Sequence, residues 1–113
     1  MQLPNAAHAI VDEAKIRAYL LSVEHPVGRF KAAFFRALGY SPEDWPFLQS
    51  ALVTHASAGE ALPEPTSAYG QKFRIRAMLQ GPSGQSALVV SVWIIRAGED
   101  LPRFVTAFPG VSR

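Results

Sequence analysis

The sequence predicts an α+β fold in which N-terminal helices pack on one face of a C-terminal antiparallel β-meander, and three observations lead there. Apolar residues recur at helical spacing up to about residue 58, and from about residue 69 the spacing becomes twofold. The stretch between, Ser57 to Ala68, holds Gly59, Pro63, Pro65, Thr66 and Ser67 and reads as a loop. The later connections are short, and short connections join antiparallel neighbours. The chain is therefore one domain over 1–113, with a helical half at 1–58 and an antiparallel sheet at 69–109.

Taken in order, the first ten residues read as an extended arm or lead-in turn. Asp12 can cap a helix running to about Leu21, with Ala14, Ala18 and Leu21 as its inner stripe and Ile16, Tyr19 and Leu20 widening it. The next helix, from His25 to Leu38, organises the chain. At 100° per residue Val27, Phe30, Ala33, Phe34, Ala37 and Leu38 share an apolar arc, His25, Arg29 and Arg36 lie opposite, and Lys31 falls at the seam. Pro26 suits its first position and Gly39 the position just past its end. Ser41-Pro42-Glu43-Asp44 then predicts a capped helix start, followed by an inner face of Trp45, Leu48, Leu52 and His55 or Ala56. In the sheet half, Phe73, Ile75, Ala77 and Leu79 alternate with Lys72, Arg74, Arg76 and Met78, so one face is apolar and the other basic. Gly81-Pro-Ser-Gly84 predicts a hairpin turn, Ser86 to Ile95 a central strand buried on both faces, and Arg103 to Phe108 the last strand.

Composition bounds the function. At 113 residues, 49% hydrophobic and 18% charged, the chain can bury one core. It has no cysteine, which removes disulfides and thiolate chemistry and is compatible with the cytoplasm, the expected location. The start lacks the basic and apolar regions of a secretory signal, and the most apolar run, Ala87 to Ile95, is far short of a membrane span. No membrane partner is expected. The net charge of +2 is small but unevenly spread. No acidic residue lies between His25 and Pro42 or between Pro65 and Gly98, whereas those windows hold Arg29, Lys31, Arg36, Lys72, Arg74, Arg76 and Arg96. If the windows meet, they form a basic patch.

There is no phosphate-binding loop, dinucleotide glycine motif, metalloprotease histidine pair or nucleophile elbow. Six of the nine carboxylates sit in separate pairs, Asp12-Glu13, Glu43-Asp44 and Glu99-Asp100, at helix starts and turns, and they do not group as a metal site would need; neither a metal nor a cofactor is expected. His25 precedes a proline at a helix start, where backbone N–H groups favour an anion, and beside Arg29 it could meet a phosphate; from the residues alone it reads more readily as a helix cap or a solvent-exposed side chain. Lys31 can snorkel along the core or reach a phosphate. The Lys72, Arg74 and Arg76 face suits a binding surface and suits a solvated sheet face just as well. Tyr69 and Trp93 could stack on bases, although a tryptophan in a central strand is ordinarily core. His55 falls in its helix's apolar register and reads as a core-edge residue. Thr106 either pairs across strands or points into a site.

Leu3-Pro-Asn-Ala, His25-Pro-x-Gly-Arg-x-Lys31, Tyr69-Gly-x-Lys72, Val92-Trp-Ile94 and Pro102-Arg-x-Val-Thr-Ala-Phe-Pro109 together resemble a small, uncharacterised bacterial domain family found alone or at toxin C-termini. That family is similar in turn to the barnase, EndoU, colicin and RelE type of ribonuclease, in which N-terminal helices precede a short antiparallel sheet whose face carries the active site. The chain departs from the pattern in having Phe108 where a tyrosine is usual. The resemblance implies metal-independent RNA cleavage through attack by the ribose 2′-hydroxyl, with RNA, tRNA included, as substrate and an antitoxin or immunity protein as partner. It implies His25, Lys31, Lys72 and Thr106 as catalytic groups, with Arg29, Arg74, Arg76, Arg103 and Tyr69 binding substrate. A non-catalytic interaction module that uses the same basic face on an acidic protein partner is the other reading. The sequence leaves the oligomeric state open.

Overall fold

A computed structural model of the chain describes residues 1–22, 24 and 29–110, without the side chains of Arg29 and Phe30. Helices precede strands, as predicted: α1 (Glu13–Lys15) passes directly into a π-helical turn (Ile16–Leu20), followed by α2 (Arg29–Ala37), α3 (Trp45–His55), β1 (Ala61–Pro63), β2 (Gly70–Gln80), β3 (Ser86–Arg96) and β4 (Arg103–Pro109). The strands form one antiparallel sheet in the order β1-β2-β3-β4.

The first helix corrects the expected inner stripe. Its second half is closed by an i→i+5 bond, from the Leu21 N–H to the Ile16 carbonyl at 2.8 Å, so a fixed 100° turn misplaces its side chains. Ile16, Leu20 and Leu21 are fully buried, whereas Ala14 and Ala18 face solvent. Asp12 holds the cap position but its side chain makes no cap hydrogen bond. In α2 the fully buried residues are Ala32 and Phe35; of the expected arc Leu38, just past the helix end, is buried and Phe34 is half-buried against the core, whereas Ala33 and Ala37 are exposed. Adjacent phenylalanines fit either registration; Phe35 takes the core and Phe34 packs edge-on against it at 5.0 Å. The expected start of this helix, His25 to Gly28, lies outside the described residues. Its end is as predicted: Gly39 has φ +102°, and the hairpin turn passes so close that a Cβ there would meet the Ser83 nitrogen at 2.8 Å.

Ser41 to Asp44 forms a hydrogen-bonded turn, and α3 begins only at Trp45. Pro46 falls in the first turn, where its missing N–H costs nothing. The N-terminal arm is docked: Leu3, Ala6 and Val11 are buried, the Ile10 N–H donates to the Pro102 carbonyl at 2.8 Å, and the Phe104 N–H donates to the Ile10 carbonyl at 2.8 Å. The segment read as a loop holds the short edge strand β1, paired with Phe73 to Ile75. Three residues ending in proline are too few to show alternation, and an edge is where a sheet tolerates proline.

The alternation in β2 is as expected, and β3 is buried on both faces as expected in its middle, from Val89 to Trp93, while Ser86 at one end is exposed and Ala87, Leu88, Ile94 and Ile95 are half-buried. β4 breaks the twofold rule. Phe104 and Ala107, three residues apart, are both buried in the core. The register explains this: Trp93 pairs with Phe104 and Val92 with Thr106, so Val105 is an extra residue, a β-bulge. The bulge turns Thr106 to the outer face, in line with Val92 and Arg74.

Between α3 and the inner sheet face sits a buried polar chain. His55 is 1% exposed. Its Nε2 lies 3.0 Å from the Ala77 carbonyl and 3.1 Å from that of Val89, and its Nδ1 lies 2.7 Å from Ser91 Oγ. Carbonyls only accept, so Nε2 carries the proton, Nδ1 accepts from the Ser91 hydroxyl, and Ser91 Oγ accepts from Trp93 Nε1–H at 2.8 Å. The histidine is thus a core residue with every polar atom satisfied.

Two outcomes follow. Ser91→Ala leaves His55 Nδ1 and the Trp93 N–H without a partner and costs about 1–3 kcal/mol in denaturant unfolding. Burial holds His55 below its ordinary pKa of 6.5, against the smaller raising effect of the two carbonyls. A neutral imidazole favoured by the fold stabilises it fully above pH 6.5, and that stability is lost as the pH falls from there towards the lowered folded value. Unfolding free energies from urea titrations measured downward from pH 7 therefore drop by up to about 1.4 kcal/mol per pH unit from this residue, and His55→Gln flattens that slope.

Candidate functional site

Three polar side chains from three elements meet where α2 passes β4. Lys31 Nζ donates to the Tyr19 hydroxyl at 2.8 Å and to Thr106 Oγ1 at 2.9 Å, and those two oxygens lie 3.0 Å apart. Each has a local reason to be there. Tyr19 follows Lys15 by four residues and Lys31 stands beside the buried Ala32 and Phe35, so both emerge at the edge of the core. Thr106 is turned out by the bulge, whose extra residue offers its carbonyl to Lys15 Nζ at 3.3 Å.

Two ammonium groups surround the phenol. Lys31 and Lys15 lie 5.3 and 5.7 Å from the centre of its ring. Burial by itself would raise the Tyr19 pKa, but hydrogen bonds from Lys31 and Thr106 and the charges of Lys31 and Lys15 together outweigh it and bring the phenol below its ordinary 10.0. The cluster opens onto a groove of about 710 Å³ lined by Lys15, Tyr19, Val105 and Thr106 together with Asp12, Ala14 and Ala18. A partly buried acid with a shifted pKa, held by cations beside a groove, is a place for proton transfer next to an anion.

Of the residues expected at a site, the structure joins Lys31 and Thr106. Arg74 approaches from β2: its guanidinium lies 5.5 Å from the Phe108 ring centre, and Lys31 Nζ lies 5.9 Å from the same ring. Arg74 is also ion-paired with Glu64 at 2.8 Å. Phe108 brings no hydroxyl, and the phenol beside Lys31 comes from Tyr19 instead. Lys72 and Arg76 are exposed on the outer strand face, and none of Lys72, Arg74 and Arg76 lines the groove. Arg76 Nε donates to the Gly110 carbonyl at 3.0 Å, Arg103 Nε pairs with Glu99 at 3.1 Å, and Tyr69 is 80% exposed. His25 and the Arg29 side chain lie outside the described residues. Sequence reasoning missed Tyr19 and Lys15 as site residues, reading the tyrosine as part of the apolar stripe. The available signal was their spacing of four, which stacks a cation beside a phenol on one flank of a helix.

The sequence matches, over residues 2–111, a family described as a domain of unknown function, DUF6883. The chain belongs to that family. DUF6883 thus accounts for nearly the whole domain, including every element that builds the Tyr19 cluster. A comparison with curated proteins finds no match. Among solved structures, a chain of a contact-dependent growth inhibition toxin–immunity protein complex from Klebsiella pneumoniae 342 shares the fold, with a TM-score of 0.73 and 19% identity over 95% of this chain and 97% of that one. Among the described residues no helix is long and apolar enough to cross a membrane, and no three histidine or acidic side chains group as metal ligands.

The chain has three tyrosines, of which burial pushes Tyr40 above its ordinary value while Tyr19 is lowered. Spectrophotometric titration of the folded protein is expected to show a phenol ionising below pH 10, and Lys31→Met to move that transition upward by removing both a hydrogen bond and a charge.

Proposed function

We propose that this domain is a toxin-type ribonuclease that cleaves RNA by attack of a ribose 2′-hydroxyl on the adjacent phosphorus, without a metal ion. The observation that carries this reading is the Tyr19–Lys31–Thr106 cluster opening on a groove with Lys15 at its wall. The shared fold with a chain of a toxin–immunity complex supports the toxin setting and an immunity protein as partner. In the reaction the 2′-oxygen bonds to phosphorus, the 5′-oxygen leaves, and the products are a 2′,3′-cyclic phosphate and a 5′-hydroxyl. A base must take the 2′-hydroxyl proton, an acid must supply one to the leaving oxygen, and cations must stabilise the phosphorane. Tyr19 exchanges one of these protons, its pKa shifted towards the task. His25 is retained from the family resemblance for the other. Lys31 and Lys15 stabilise the charge, and Thr106 hydrogen-bonds a non-bridging oxygen. RNA, with tRNA among the substrates to be tried, is read by the groove.

One observation favours a second reading. Lys72, Arg74 and Arg76 form an exposed basic face that the groove does not use, and such a face fits an acidic protein partner. On that reading the domain is an interaction module and the cluster is structural.

The two part cleanly. On the nuclease reading, expression of the wild-type domain is expected to arrest bacterial growth, and purified protein to leave 2′,3′-cyclic phosphate ends on RNA in the presence of a chelator. Tyr19→Phe lowers the cleavage rate by about 10²–10⁴, Lys31→Ala by about 10²–10³, and Lys72→Glu leaves it nearly unchanged. Harmless expression with no cleavage, and loss of partner binding in Lys72→Glu, would instead establish the interaction module.

A further inference from the structure

The groove at Tyr19 is not closed on its far side. A second hollow of about 570 Å³, reaching Arg17 and Pro42, shares Ala14 and Ala18 with it, so the two meet over the outer face of the first helix. That helix is laid out in rows of residues four apart. Ile16 and Leu20 enter the core, Lys15 and Tyr19 form the wall beside Thr106, and Glu13 and Arg17 form the wall of the second hollow. The row between the two polar walls is Ala14 and Ala18, both exposed, and these are the side chains that the sequence placed in the core.

We infer that the binding groove continues across this helix: the nucleotide next to the cleaved phosphate lies over Ala14 and Ala18, and the phosphate beyond it meets Arg17. The inference rests on the nuclease reading and extends it to the way a single strand is held. A helix with its side chains is about 10 Å across, too wide for one phosphate to touch both walls, so Arg17 must serve a different phosphate from Lys31. Between them the two alanine methyls leave a low apolar floor with room for the flat face of a base to lie against it, out of water. Arg17 is ion-paired with Glu13 at 2.6 Å, with side chains 53% and 47% exposed. An exposed pair of this kind contributes little and is readily exchanged for a phosphate oxygen. The ligand is thus single-stranded RNA bound by at least two successive phosphates, one at Lys15 and Lys31 and one at Arg17.

The test compares wild type, Ala18→Leu and Arg17→Gln on a short single-stranded RNA, read by cleavage, and on the same sequence as DNA, read by fluorescence anisotropy across a salt series. DNA has no 2′-hydroxyl to attack and reports binding alone. Both substitutions lie on an exposed helix face and are checked for an unchanged unfolding midpoint. Ala18→Leu fills the floor, so KM and the DNA Kd rise about tenfold with kcat little changed. Arg17→Gln reduces the slope of log Kd against log salt by about 0.7, the value of one single-strand phosphate contact. Wild-type cleavage with KM, Kd and slope untouched by either change would overturn the continued groove and leave the nuclease standing. Binding weakened by both changes with no RNA cleavage by any form would uphold the groove and overturn the nuclease. An absence of binding to either strand would overturn both.

Discussion

One extra residue in the edge strand decides which way the polar and apolar side chains of β4 face. Without Val105 as a bulge, twofold alternation would carry Thr106 to the same side as Phe104, among buried apolar residues next to Trp93. A hydroxyl there would need a partner the core does not offer, at a cost of about 1–3 kcal/mol. With the bulge, Phe104 and Ala107 fill the core and Thr106 faces out to Lys31 and Tyr19. The bulge also presents the Val105 carbonyl to Lys15. A local departure from regular pairing thus places two elements of the site at once, which is the recurrent use of bulges at sheet edges.

The inner face does the opposite job. His55, Ser91 and Trp93 form a closed chain of hydrogen bonds ending on the Ala77 and Val89 carbonyls. This ties α3 to β2 and β3 with direction as well as area, and a satisfied buried network fixes one arrangement of the layers. The sheet therefore carries two polar clusters on opposite faces: an internal one whose histidine is kept neutral, and one at the groove whose phenol is drawn towards ionisation. The same physics acts in both. Burial disfavours charge, and only beside Lys31 and Lys15 do neighbouring cations outweigh it.

Much of the fold was legible because hydrophobic periodicity is strong where an element is regular. Lys72 to Leu79 alternates without error, and the β-branched run from Ser86 to Ile95 reads as a central strand, which it is, with both sides covered from Val89 to Trp93. Legibility failed where geometry departs from the ideal period. The i→i+5 turn at Ile16 to Leu21 exposed Ala14 and Ala18, paired phenylalanines concealed which face of α2 turns inward, and β1 was too short to show a pattern. The site was half legible. Lys31 at a helix seam and Thr106 amid apolar neighbours were both visible as residues out of keeping with their surroundings. Tyr19 was not, since a tyrosine is as apolar as it is acidic until its neighbours are known. The expected meeting of Lys31 with the β2 cations occurs only at the Phe108 ring, through Arg74, and outside the groove.

The claim on which the functional account turns is that the Tyr19 cluster receives a phosphate. A nucleoside 3′-monophosphate titrated into isotopically labelled protein, followed by NMR, addresses it without requiring turnover. The account predicts shift changes centred on Lys15, Tyr19, Lys31 and Thr106 that saturate together and vanish in Lys31→Ala. Changes centred instead on Lys72 to Arg76, or none at Tyr19 and Thr106, would contradict it.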